Sequence, residues 1–185
     1  LGQGIHVKPR LTRYHDFFTH NITQEDCVVD VGGGIAVLAA DVANRAGAHV
    51  TAIDIEKANI DNARLHCADQ SIDLIHGDAI TYDFGERQFD VLVLSNVLEH
   101  IENRAAFLSG LFGQTNAKRA LIRVPVIERD WTVPMRPELG LEWRLDNTHF
   151  KEYTIPQFEQ EMALANLTID TLQVRWSEIW AEVHA

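Results

Sequence analysis

Three acidic residues in this chain, Asp30, Asp54 and Asp78, each stand at or near the end of a short apolar run. Asp30 lies just ahead of three consecutive glycines, Gly32, Gly33 and Gly34. Glycine permits a tight turn and close approach of a ligand to the backbone and to a helix N-terminus. A carboxylate inside such a turn would repel a pyrophosphate and attract a cationic ligand. The dinucleotide fingerprint G-x-G-x-x-G also fails, because its third glycine would fall where Val37 stands. Asp54 is placed to accept hydrogen bonds from both hydroxyls of a ribose; it would equally serve as a helix N-cap. Asp78, after Gly77, suits the amino group of an adenine, with the backbone N–H of Ala79 beside it; the alternative is a plain turn residue.

A second set follows the most apolar run, in the order Ser95, Asn96, Val97, Leu98, Glu99, His100. His100 is a candidate general base by location and by the titration range of imidazole. His149, beside Phe150, is a second. Glu99 and His100 are two adjacent groups able to ligate a metal, too few to define a site, and no metal is expected. Tyr14 and His15 belong to a locally basic N-terminal arm. Arg129, Arg136 and Arg144 would suit an anionic substrate, but Asp130, Glu138, Glu142 and Asp146 lie among them and favour a self-paired loop. Trp131 and Trp143 read as packing anchors of that loop more readily than as substrate stackers.

The elements that must position these groups are legible as alternating runs. Cys27–Val31, His49–Ile53, Ile72–Ile75, Phe89–Leu94 and Ala120–Val124 read as buried strands. Ile35–Ala46, Lys57–Asp69 and Arg104–Phe112 read as helices between them. Strands that are apolar throughout, alternating with helices, imply an α/β, doubly wound, mostly parallel sheet. In such a sheet ligands bind beyond the carboxyl ends of the strands, where all three aspartates and the Ser95–His100 segment fall. Thr154, Pro156 and Gln157 mark a capped helix start. Leu167–Trp176 and Glu178–Val183 follow as two strands too closely linked for a helical crossover, hence an antiparallel hairpin. Residues 125–153 show no clear periodicity and read as a long loop.

Composition fits one domain over residues 1–185, divided into an arm or lid (1–24), a cofactor-binding core (25–124), a substrate-side loop (125–153) and a C-terminal helix and hairpin (154–185). With 46% hydrophobic and 23% charged residues, the chain is globular rather than low-complexity. The formal charge of −11 and the lack of a basic stripe oppose a nucleic-acid partner. No run approaches the roughly 20 apolar residues of a membrane helix, so no membrane partner is expected. Residues Leu1–Arg10 lack the apolar centre of a signal peptide. Two cysteines, Cys27 and Cys67, make neither a disulfide framework nor a zinc site, which points to a reducing cytoplasm. Oligomeric state is not encoded in these features.

The runs VVDVGGGIA (28–36), AID (52–54), HGDA (76–79) and FDVLVLSNVLEH (89–100) resemble class I S-adenosylmethionine-dependent methyltransferases, over roughly Cys27 to Val124. The family pattern D-x-G-x-G-x-G has Ala36 at its last position here. The resemblance implies a seven-stranded Rossmann-like sheet ending in the antiparallel hairpin, and S-adenosyl-L-methionine as cofactor. Its ammonium and sulfonium carry the positive charge that Asp30 would attract. By resemblance, Asp30, Gly32, Gly33 and Gly34 line the methionine part. Asp54 and Ile55 hold the ribose, and Gly77, Asp78 and Ala79 the adenine. Ser95 and Asn96 pass beside the sulfonium, and Tyr14 closes the site from the arm. The Leu98-Glu99-His100 ending resembles small-molecule methyltransferases, including those of quinone biosynthesis, so the expected partner is a small-molecule methyl acceptor, most simply at oxygen. The alternatives are a non-catalytic cofactor- or partner-binding protein on the same fold and an NAD-linked oxidoreductase, the latter opposed by Asp30 and Val37.

Overall fold

A computed structural model describes residues 7–67, 72–144 and 146–185. Two short helices, α1 (Val7–Thr12) and α2 (Tyr14–Asn21), open the described chain. Then come β1 (Cys27–Val31), α3 (Val37–Ala46), β2 (His49–Asp54), α4 (Lys57–His66), β3 (Ile72–His76), β4 (Val91–Ser95), α5 (Arg104–Thr115) and β5 (Arg119–Pro125). The remainder is α6 (Thr132–Glu138), α7 (Ile155–Leu164), β6 (Thr168–Arg175) and β7 (Glu178–His184). The sheet has seven strands in the order β3-β2-β1-β4-β5-β7-β6. The first five are parallel, and β7 runs antiparallel to both β5 and β6. Strand order reverses between β1 and β4, which creates a crevice at their carboxyl ends.

The alternation of side chains along each strand sorts the core into two layers. Val28, Val50, Ala52, Val91, Val93 and Leu121 face α2 and α3, against Phe17, Phe18, Leu38 and Val42. Val29, Ile53, Leu92, Leu94, Ile122 and Val124 face α5 and α7, against Leu108, Leu111, Phe158 and Met162. The predicted cap of α7 is present: Thr154 accepts from Gln157 N–H, and the Gln157 side chain accepts from Thr154 N–H. Burying both faces leaves the polar strand ends as the surface on which a ligand can be recognised.

Some of these expectations change. Residues 125–153 are not a featureless loop, because α6 occupies part of them, pinned where Asp130 accepts from the N–H and hydroxyl of Thr132. Helix α3 starts at Val37 rather than Ile35, because Ala36 takes a left-handed φ of 59°. Helix α4 is described to His66; the expected end at Asp69 lies outside the described residues, as does the Arg129 side chain. No described helix is long and apolar enough to cross a membrane.

Candidate cofactor and active site

The glycine turn leaves β1 at the switch point. Gly32 and Gly34 hold φ of +68° and +56°. A Cβ on Gly32 would lie 2.8 Å from Val97 Cγ2, and one on Gly33 would lie 3.1 Å from Asp30 Oδ2. Only glycine satisfies both demands at Gly32. Ala36, the departure from the family pattern, also has positive φ and is fully buried, so the methyl sits where glycine would be unstrained. The turn is internally saturated: Gly32 N–H and Gly33 N–H donate to Ile53 O, and Gly34 N–H donates to Asp54 Oδ2.

Asp30 is 2% exposed, and its Oδ2 has no protein partner. Burial, assisted by the charge of Asp54, raises its pKa to about 7. A buried unpaired carboxylate is costly unless something cationic meets it. Asn96 supplies a second such acceptor. Its N–H donates to Arg123 O and its amide to Glu99 Oε1, but its buried Oδ1 is unpartnered. Asp30 and Asn96 line one cavity of about 370 Å³, together with Gly32, Gly33, Ser95, Tyr14, Lys8 and Arg123. Two unsatisfied acceptors around a glycine cradle fit the ammonium and sulfonium end of S-adenosylmethionine.

The structure therefore brings Asp30, Gly32, Gly33, Ser95, Asn96 and Tyr14 to one cavity. Asp54, Ile55, Gly77, Asp78 and Ala79 lie outside it, along the same sheet edge at the ends of β2 and β3. Asp54 is more occupied than its predicted role implies. Its Oδ2 accepts from Gly34 N–H, and its Oδ1 accepts from Glu56 N–H and the Asn59 amide. Of roughly four lone-pair positions on a carboxylate, three are used, so Asp54 braces the glycine turn and keeps about one position for the ribose hydroxyls expected from sequence. It does not cap α4 by side chain; Glu56 is the N-cap residue. Ile55 is 65% exposed, and its carbonyl oxygen lies 3.1 Å from His76 Nε2. Asp78 folds back to accept from Ile80 N–H.

Sequence reasoning missed Arg123. It leaves β5 buried, donates to both oxygens of Glu178 at 2.7 Å and to Ser95 Oγ at 3.0 Å, and lies over the Tyr14 ring. Lys8 adds an ion pair to Glu178 at 2.8 Å. Burial opposes ionisation of Glu178, yet Arg123 and Lys8 together hold its pKa below the usual range. The signal available was one arginine inside an otherwise apolar run. His15, by contrast, turns away from the cavity: its Nδ1 pairs with Asp41 on α3, and burial lowers its pKa.

The two candidate bases meet each other rather than the cofactor cavity. The His100 and His149 rings stand edge to face, 4.8 Å between centroids. His149 is buried, with Nδ1 3.1 Å from Glu152 Oε1 and Nε2 3.8 Å from Asp146. Glu152, which sequence reasoning passed over, fixes the ring orientation as a carboxylate does for a catalytic histidine. Its signal was the spacing of three residues from His149. His100 Nδ1 faces Thr148 Oγ1 at 3.0 Å. Glu99, fully buried, has its pKa raised by burial, against hydrogen bonds from its own backbone and Asn96. Glu99, His100 and His149 each present a ligand atom within 4.8 Å of the others, a metal-capable set larger than the adjacent pair visible in sequence. Asn96 links this cluster to the cavity. In the loop, Arg144 pairs with Glu142, in line with a self-paired segment, and Trp131 is exposed.

A glycine turn with an acidic partner at the switch point of a doubly wound sheet defines a Rossmann-like nucleoside-cofactor domain. Residues 29–115 match the methyltransferase domain family. Over these residues the chain is similar to class I S-adenosylmethionine-dependent methyltransferases. An uncharacterized methyltransferase of Mycobacterium tuberculosis is 38% identical over 87 residues, 47% of this chain and 44% of that protein. The ubiquinone biosynthesis O-methyltransferase of Maricaulis maris is 40% identical over 86 residues, 44% of this chain and 33% of that protein. The chain spans less than half the length of these two relatives. A magnesium protoporphyrin IX methyltransferase from Synechocystis, with bound S-adenosylhomocysteine, shares the fold at TM-score 0.71 and 15% identity, over 99% of this chain and 90% of that one.

Proposed function

We propose that this protein transfers the methyl group of S-adenosylmethionine to a hydroxyl oxygen of a small molecule. The observation that carries this reading is the unpartnered Asp30 Oδ2, buried beside the glycine cradle and sharing a cavity with the unpartnered Asn96 Oδ1. The cofactor supplies a methyl group already activated by the sulfonium. The chain's own residues supply position and charge. Asp30 and Asn96 would hold the cationic end, and Asp54 would keep Gly34 and the ribose edge in register. Arg123, Ser95 and Tyr14 wall the cavity from the arm side.

Transfer to a hydroxyl requires a proton acceptor. We assign that role to His149. Glu152 at Nδ1 leaves Nε2 as the basic nitrogen, and His100 packs against the ring. The ubiquinone-pathway O-methyltransferases among the relatives support oxygen as the accepting atom. The test is calorimetric titration with S-adenosylhomocysteine, with Asp54→Ala as control, followed by methyl transfer from labelled cofactor to a panel of phenols and alcohols. Binding lost in the variant and transfer to hydroxyls are expected. Binding without transfer to any acceptor would favour a non-catalytic cofactor-binding protein.

A further inference from the structure

One free edge of the sheet is β6, which pairs with β7 on one side and with no strand of the described residues on the other. A bulge interrupts its ladder between Ile169 and Thr171, and from Thr171 to Arg175 the pairing runs without a break. Thr171, Gln173, Val174 and Arg175 are exposed along that stretch. An edge of this kind offers main-chain N–H and C=O groups to a further strand. At its end, the two-residue turn to β7 holds Trp176 and Ser177 at φ of +52° and +59°. Such turns favour Asn-Gly or Gly-Gly, yet the first position is a tryptophan that is 64% exposed. Burial of the indole therefore does not offset the left-handed strain, and strain kept without packing points to a surface that is used.

Beside this edge runs a groove of about 470 Å³, between β6 and the two N-terminal helices. Gln173, Arg175 and Trp176 line it from the sheet, and Leu11, Arg13 and His20 from the helices. Arg13 also has a left-handed φ of 54°. The chain as a whole carries −11. In the groove the acid is Asp16, and both Arg13 and Arg45 pair with it. The Arg175 guanidinium lies 5.7 Å from the Trp180 ring centroid and joins no ion pair among the described residues. The groove is thus a cationic strip on an acidic protein, and no residue that lines it lines the cofactor cavity.

We propose that β6 and this groove dock an extended acidic segment of another protein. Added along Thr171–Arg175, such a segment gains main-chain hydrogen bonds, and its alternate side chains select it. Gln173 and Arg175 share the groove face of β6, so acids at alternate positions of the added strand meet Arg175 and Arg13. Trp176 offers its ring to an aromatic residue at the end of that strand. A second copy of this chain is a poorer occupant. Two β6 edges related by a two-fold axis would set two Arg175 grooves on the same sheet face, like charge beside like charge. The surface lies apart from the cofactor cavity, and the inference stands without the methyltransferase reading.

The test is fluorescence anisotropy on the full chain with a labelled peptide, Phe-Glu-Val-Glu-Val-Glu-Phe. Its terminal phenylalanines bring an aromatic side chain to Trp176 whichever way the strand runs. The controls are the lysine counterpart, a backbone N-methylated counterpart and oligothymidylate. Saturable binding of the acidic peptide is expected, about tenfold or more tighter than that of each control. Arg175→Glu and Trp176→Asn should each weaken it by about tenfold or more. Trp176→Asn also relieves the turn, so its melting temperature should equal or exceed that of the wild type, which separates lost binding from lost folding. No binding of the acidic peptide, equal binding of any control, or unchanged affinity in either variant would overturn the inference. A dimer of the free chain that Trp176→Asn dissociates would overturn it too, and make a second copy the occupant.

Discussion

The guanidinium carbon of Arg123 lies 3.7 Å from the centroid of the Tyr14 ring. The same guanidinium makes a two-pronged bond to Glu178, so one side chain joins the N-terminal arm, the end of β5 and the start of β7. The wall of the cofactor cavity is therefore assembled from three distant segments through one buried cation. Arg123→Ala would leave the Glu178 carboxylate with only Lys8 and Trp180 Nε1 as partners, at a cost of about 1.5–3 kcal/mol. Arg123→Lys, which cannot make the fork, should recover only part of this. Tyr14→Phe keeps the ring face and should leave stability within about 0.5 kcal/mol. Urea denaturation of the three variants measures these differences.

Asp30 gives a pH signature. Its folded pKa lies above its unfolded value, so the native state holds the proton more tightly. Stability from this residue is fully present below about pH 4 and falls as pH rises toward about 7. The loss approaches about 4 kcal/mol above that window, an order-of-magnitude figure. Asp30→Asn should raise the melting temperature at pH 8 relative to wild type, with little difference at pH 4. The same substitution should weaken cofactor binding by about 100-fold, since a charge-assisted contact is lost. Thermal scans at both pH values, with calorimetry at pH 8, test the pair of effects. A stabilised variant that binds normally would remove Asp30 from the site.

Gly32→Ala should damage both folding and binding. It imposes a side chain at φ +68° and drives its Cβ against Val97. We expect a loss of about 2–3 kcal/mol, combining left-handed strain with overpacking. Gly34→Ala carries the left-handed strain alone, because no atom lies within 4 Å of its Cβ position. The difference between the two unfolding midpoints isolates the steric contribution.

His149→Ala should lower the maximal rate of methyl transfer by roughly 100-fold or more, with cofactor affinity unchanged. Glu152→Gln should lower the rate less, and shift the pH profile, because it alters the imidazole it positions. His100→Ala should have the smallest effect of the three. A chelator should leave the wild-type rate unchanged. Abolition of transfer by chelation, and recovery with a divalent ion, would show that Glu99, His100 and His149 hold a metal.

The elements of the parallel half were legible because their signals are local. β1 was predicted to the residue, and the other strands to within one or two, since an apolar run ended by Gly, Asp or Pro declares its own boundaries. The residues of the glycine turn were equally readable, because chain order alone delivers Asp30, Asp54 and Asp78 to the same edge once the strands are parallel. Helix α6 was not readable: two prolines and a short length mask its periodicity, and its first residue, Thr132, is held by the Asp130 carboxylate.

The sequence by itself determined the sheet, the glycine cradle and the placing of acidic groups at strand ends, because each is set by neighbours along the chain. The tertiary structure alone decided the partners of those groups. It turned Asp54 toward Gly34, set Glu152 against a buried His149, and joined Arg123 to Glu178. The physical reason is the insertion of β7 between β5 and β6, reversed in direction. Strand order is fixed by burial of both sheet faces over the whole domain, a long-range balance that no local pattern records.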